Sequence, residues 1–129
     1  MVRMIRLHEY LDASGRNEYG TWFNGLNVAA ATKVTVALER IAGGNTSSIK
    51  PVGEGVSEYK IDFGPGYRIY FCKDGDRLVI LLGGGTKKRQ HQDIENAKAA
   101  WREYKQLKKN ALKQAEAKAA VKNKTTKRK

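Results

Sequence analysis

A phosphate is held by cations that converge on it, and this chain carries candidates at Lys60, Arg68, Lys87, Lys88 and Arg89, with Gln90, His91 and Asp93 close behind. Arg68 is the best placed of them. It follows Phe63-Gly64-Pro65-Gly66-Tyr67, a turn whose glycines accept positive φ and whose proline fixes its own φ, so the next strand starts from a defined geometry. In an extended strand Tyr67, Ile69 and Phe71 share one face, suited to a core. Arg68, Tyr70 and Cys72 share the other, which reads as an open face offering a guanidinium to a phosphate and a phenol to a base. Clustered cations can bind a phosphodiester, stabilise its pentavalent transition state and lower a neighbouring lysine's pKa until it serves as a base. With RNA the substrate's own 2′-hydroxyl is the nucleophile and no metal is required. The same residues equally suit electrostatic binding without chemistry, and residue types alone leave both open.

Other chemistries find less support. Gly83-Gly84-Gly85-Thr86-Lys87 lacks the spacing of a phosphate-binding P-loop, and Lys88 stands where Ser or Thr should follow the lysine. The two histidines, His8 and His91, are far apart and have no cysteine or carboxylate at metal-ligand spacing, so neither a metal nor another cofactor is expected. Cys72, the single cysteine, has no histidine partner in view and reads as a buried strand residue.

The elements that must position these groups follow from periodicity. Ile5 and Leu7 alternate with Arg6 and His8, suggesting a first strand over residues 4–10. Tyr19, Trp22, Phe23 and Leu26 recur at helical spacing behind a cap at Ser14 or Asn17. Gly25, in a left-handed conformation, should end that helix. Asn27 can cap a second, amphipathic helix bearing Ala30, Val34, Ala37, Leu38 and Ile41, which should stop at Gly43-Gly44. Residues 45–56, rich in Gly, Ser, Thr and Pro, read as a loop. Residues 58–63 and 67–72, then the apolar run 78–82, form an antiparallel three-stranded meander, with Lys60 and Asp62 on the polar side of its first strand and a hairpin at Asp74-Gly75. The run 78–82 should lie centrally, and the three glycines after it read as a flexible exit. A last helix starts near Asp93 and carries Ile94, Ala97, Trp101, Tyr104 and Leu107 as its apolar stripe. The fold class is therefore α+β, a small antiparallel sheet with a helical hairpin after the first strand and a C-terminal helix.

The chain has 129 residues, enough for one core, and a formal charge of +12. From Lys105 onward there are ten Lys/Arg against Glu116 alone, so most of that charge lies in a basic tail. Residues 1–107 read as the folded domain and residues 108–129 as a tail that frays and is disordered by Lys122. Such a tail implies a polyanionic partner, nucleic acid or acidic protein, or serves solubility alone. One cysteine, no signal-peptide core and no apolar run of about 20 residues point to a cytoplasmic protein without membrane association.

The pattern FGPGYR-IYF over residues 63–71, followed by GG-x-K-x-x-Q-x-x-D-I ending at Ile94, resembles the addiction-module killer proteins of the RelE/ParE toxin superfamily, in the HigB-like branch with related phage proteins. The likeness runs from about Ile5 to Tyr104. It implies the RelE-like fold and the toxin of a type II toxin–antitoxin system, a metal-free mRNA endoribonuclease acting at the ribosome and neutralised by an antitoxin, often a helix-turn-helix protein. By the same resemblance Arg68 contacts the scissile phosphate, Lys60 falls near the sheet lysine that acts as base, and Lys87 is the basic residue after the last strand. Tyr70, Lys88, Arg89, Gln90 and His91 are then candidates for RNA contact, with Asp93 supporting. Asp62 stands where some RNA-cleaving members have a second lysine, and their C-terminal base-stacking tyrosine has no match nearer than Tyr104. A ParE-like inhibitor that binds DNA gyrase without catalysis is the other function this fold carries, and a degenerate phage protein keeping only the fold is a third.

Overall fold

The computed structural model describes residues 5–45 and 47–127, and the side chains only to Val121. The expectations that fall on Met4, Thr46, Arg128 and Lys129 lie outside the described residues. The elements are β1 (Arg6–Glu9), α1 (Glu18–Asn24), α2 (Val28–Ala42), β2 (Ile49–Gly53), β3 (Val56–Ile61), β4 (Tyr67–Asp74), β5 (Leu78–Thr86), a 3₁₀ turn (Lys87–Arg89) and α3 (Gln90–Lys127). One five-stranded sheet runs in the order β1-β5-β4-β3-β2, with the α1–α2 hairpin on one face and α3 on the other. The fold is α+β, as periodicity and resemblance both imply.

The helical hairpin forms where its caps require. Asn17 Oδ1 accepts from the Gly20 amide and Asn27 Oδ1 from the Ala30 amide, each at 2.8 Å, satisfying donors that a helix start leaves free. Ala30, Val34, Ala37 and Ile41 of α2 are buried against Tyr59, Ile69, Phe71, Val79 and Leu81 of the sheet. Gly25 departs from expectation: it is right-handed at φ −86°, and α1 closes through its amide bonding back to Trp22 and Phe23.

Three further differences concern the sheet. Residues 49–53, read as loop, form the edge strand β2, whose alternation is hidden by Pro51 and Gly53; a proline is tolerated there because an edge strand leaves one side unpaired. β1 pairs with β5 in parallel, so the meander is extended by one parallel strand at one edge and one antiparallel strand at the other, and β4 is the middle strand. The glycines after the apolar run are strand, not flexible exit. A Cβ on Gly84 would run into the Trp22 ring and one on Gly85 into the Asp93 carboxylate, so helices on both faces approach too closely for a side chain. Opposite Tyr70 and Phe71 the register skips Leu82, a bulge that turns both Leu82 and Gly83 towards α3.

The second core, Tyr10, Val56, Tyr70, Cys72, Ile80, Leu82 and Ala97, lies between the sheet and α3. Polar contacts fix the helix there. Tyr10 donates to Glu103 at 2.7 Å, Arg102 reaches Glu54, and Asp74 at the end of β4 accepts from the Tyr104 hydroxyl at 2.5 Å and from Lys108 Nζ at 2.7 Å. α3 continues from this clamp to Lys127, and every described side chain beyond Lys108 is exposed.

The Lys108 and Tyr104 bonds hold the Asp74 carboxyl below the usual carboxylate range. A lowered folded pKa adds stability that is present above the unfolded value of about 3.9 and lost as pH falls through the folded one. Asp74→Asn should therefore be less stable than wild type by about 1 kcal/mol near neutrality. In urea unfolding the difference should close towards zero as the solution is taken well below pH 4.

Candidate functional site

The turn between β3 and β4 closes through two bonds, Phe63 amide to Ile61 carbonyl and Gly66 amide to Phe63 carbonyl, both 3.0 Å, with Gly64 at φ +54° and Gly66 at φ +83°. Beside it the register sets Lys60 opposite Arg68 and Arg68 opposite Gly85, a row across three strands on the α3 face. Thr86 then hands the chain to the Lys87–Arg89 turn. The result is a cleft of about 300 Å³ whose cationic wall is Lys60, Arg68 and Lys87, with Asp62 and the turn 63–66 completing it. Lys33 of α2 reaches the same turn, its ammonium 5.3 Å from the centre of the Phe63 ring. The three cations chosen from sequence, scattered over 28 positions, thus line one cleft.

Arg68 is not on an open face. Because α3 covers that side of the sheet, Arg68 is only 6% exposed, and its Nε lies 3.5 Å from Oε1 of Glu58, itself 4% exposed. Gln90, the first residue of α3, donates from Nε2 to the same carboxylate oxygen at 2.9 Å. Even so, Nε and Nη1 of Arg68 have no hydrogen-bond partner among the described residues. Both atoms are themselves buried, Nε beside Glu58, while the same arginine lines the cleft, so a small shift of the fork would let an incoming anion supply an acceptor. Glu58 is the residue that sequence reasoning missed; its signal was a carboxylate two residues before Lys60 on the polar side of β3, one pleat from Arg68's cross-strand partner.

Tyr70 requires correction as a candidate for RNA contact. It is fully buried in the second core, leaving no ring face for a base, and its hydroxyl lies close to the Glu58 carboxylate. Burial, followed by the nearby Glu58 carboxylate, raises its pKa above the ordinary tyrosine range. Tyr104 is no substitute for a base-stacking tyrosine: it bonds Asp74 at the far end of β4, six residues or about 20 Å along the strand from Arg68. Asp62 is 88% exposed and lies 3.6 Å from the Lys60 ammonium, an ion pair open to water and weak for that reason.

Lys88, Arg89 and His91 are exposed around the start of α3 and, with Lys87, Gln90 and Gln92, line a shallow depression continuous with the cleft through Lys87. Asp93 faces elsewhere, over Gly85 into a separate cavity of about 600 Å³ between α1 and α3, which Arg89 also lines. Burial raises the Asp93 pKa, Glu18 adds to the rise, and Arg89 opposes it. Among the described residues no three His, Cys, Asp or Glu side chains stand together as a metal site. No helix among them is long and apolar enough to cross a membrane.

A small α+β domain with a cationic cleft at one end of its sheet is the class this geometry defines. Residues 21–105 match the family of phage-derived Gp49-like proteins (DUF891), and the chain belongs to that family, a group of RelE/HigB-like toxins associated with toxin–antitoxin systems. It is 41% identical over 81 residues to an uncharacterized protein of Haemophilus influenzae, an alignment spanning 62% of this chain and 82% of that one. The matched region contains the whole cleft and stops where α3 leaves the body.

The buried pair should be strongly coupled. Arg68→Ala strands the Glu58 carboxylate and Glu58→Ala strands the guanidinium, so each should lose about 3 kcal/mol in denaturant unfolding. The double variant Glu58→Met/Arg68→Met should lose much less than the two together; additive losses would mean the pair does not interact.

Proposed function

We propose that the protein is the toxin of a type II toxin–antitoxin pair and that it cleaves messenger RNA at the ribosome without a metal. The observation that carries the reading is the Arg68 guanidinium, nearly buried, ion-paired to Glu58 yet short of hydrogen-bond acceptors among the described residues, in a cleft that Lys60 and Lys87 share. In this reading Arg68 grips the non-bridging oxygens of the scissile phosphate, and Glu58 and Gln90 hold its fork in place. Lys60, in its uncharged form, takes the proton of the substrate 2′-hydroxyl as that oxygen bonds to phosphorus. The bond from phosphorus to the 5′-oxygen breaks, the Lys87 ammonium protonates the departing oxygen, and a 2′,3′-cyclic phosphate remains on the upstream fragment. Lys88 and Arg89 extend the cationic surface along the bound strand, with His91 beside them. Asp62, exposed and only weakly paired, leaves the Lys60 ammonium able to swing into the cleft. Family membership supports an antitoxin partner, which in this branch is expected to be a helix-turn-helix protein and would neutralise the toxin by covering the cleft or holding it from the ribosome.

The test is controlled expression of wild type and Lys60→Gln, with messenger RNA ends mapped. Lys60 is half exposed, so the variant should fold as wild type does. Cuts in messages and growth arrest are expected for wild type, and a loss of about 10²-fold or more in cleavage for the variant. Intact messages with inhibited supercoiling and a DNA-damage response would instead assign the protein to gyrase binding, and no arrest at all would leave a fold without the activity.

A further inference from the structure

We propose that the projecting part of α3 is a docking surface for duplex RNA, through a line of cations along one side of the helix. Arg102, Lys105, Lys109 and Lys113 are spaced three, four and four residues apart, which puts them on one side of the helix over about 16 Å of its length. All four are exposed. Arg102 is tied to Glu54 and Lys105 sits 5.2 Å over the Trp101 ring, so the near end of the line is held against the body. Lys109 and Lys113 have no carboxylate partner among the described residues, and Glu116 is the single acidic residue after Glu103. Further back on the same side, one turn before Arg102, Lys98 is largely covered and ion-paired with Glu95 at 3.8 Å, so the line of open cations begins at Arg102 and runs outward from the body.

Charge complementarity selects the occupant. A row of ammonium and guanidinium groups about one helical turn apart, with no apolar patch on its own side, matches the continuous charge of a phosphate backbone; a folded acidic protein would want apolar contact as well. A duplex is favoured over a loose strand because its phosphates are already fixed in a regular array, which a rigid helix can meet without ordering them. Lys109 and Lys113 lie past residue 105, outside the region matched to the family, so the far half of the line is a property of this chain rather than of the cleft. The inference rests on the reading of the protein as an RNA-acting toxin, with the rod gripping structured RNA while the cleft takes the strand to be cut.

The experiment is a salt titration of the full chain binding an RNA stem-loop carrying 2′-O-methyl groups, which cannot be cleaved through a 2′-hydroxyl. Lys105→Gln/Lys109→Gln/Lys113→Gln is compared with Arg40→Gln/Lys50→Gln/Lys73→Gln, an equal charge change at exposed positions off the rod. The rod variant should flatten the slope of log affinity against log salt by about two to three, and the control by less than one. Equal slopes for the two variants would overturn the proposal. So would a rod variant that binds the stem-loop as wild type does but loses affinity for poly-glutamate, which would assign the surface to an acidic protein. A wild type that cuts no message but keeps the rod-dependent slope would sink the cleavage reading and leave the docking surface standing.

Discussion

The structure depends on the ion pair between Glu58 and Arg68, buried under the first turn of α3. Two opposite charges at 4% and 6% exposure are held together only if other contacts compensate their lost hydration, and the pair alone does not supply them. Gln90 supplies one by donating to the carboxylate, which also ties the start of α3 to β3. The guanidinium is left partly unsatisfied. Gly85, where a Cβ would meet the Asp93 carboxylate, lets the helix approach the sheet closely enough to close over the pair, and the Asp74 clamp holds α3 about 20 Å away at the other end of β4. Burial of the arginine and its readiness for an anion are thus the same fact: the fold holds the fork rigid in low dielectric, where a phosphate contact is worth more than at a wet surface.

Around that pair the charges are graded. Arg68 is buried, Lys60 is half exposed beside Asp62, and Lys87, Lys88, Arg89 and His91 are exposed at the rim. An approaching polyanion would meet the mobile cations first and the fixed one last, an order that suits capture followed by precise positioning. Lys33, reaching the turn from α2, draws the helical hairpin into the same end of the molecule.

Much of this was legible in the sequence. The α1 and α2 caps at Asn17 and Asn27, the α2 stripe, the three strands of the meander and the Ile94, Ala97, Trp101, Tyr104 face of α3 all follow from local periodicity and capping chemistry. The register joining Lys60 to Arg68 follows from a turn with two glycines and a proline. What escaped is non-local. Alternation in β4 separated Arg68 from the first core but could not reveal that α3 would cover the second face, so Arg68 and Tyr70 were assigned to an open surface. Gly84 and Gly85 read as flexible because the sequence does not show Trp22 and Asp93 pressing on them. β2 was hidden by Pro51 and Gly53, and the parallel pairing of β1 with β5 is set by packing between distant segments.

The central claim is that the Arg68 guanidinium is the phosphate-binding group, and the most direct measurement observes its N–H groups. In nitrogen-15 spectra of the full chain the Arg68 Nε–Hε resonance can be assigned by its loss in Arg68→Lys and followed as a 2′-O-methyl RNA trinucleotide is added. The account predicts a downfield proton shift of that resonance that saturates with the ligand, as the donor gains a charged acceptor. An Arg68 resonance that stays in place while those of Lys87–Arg89 move would place the RNA on the rim alone and contradict it.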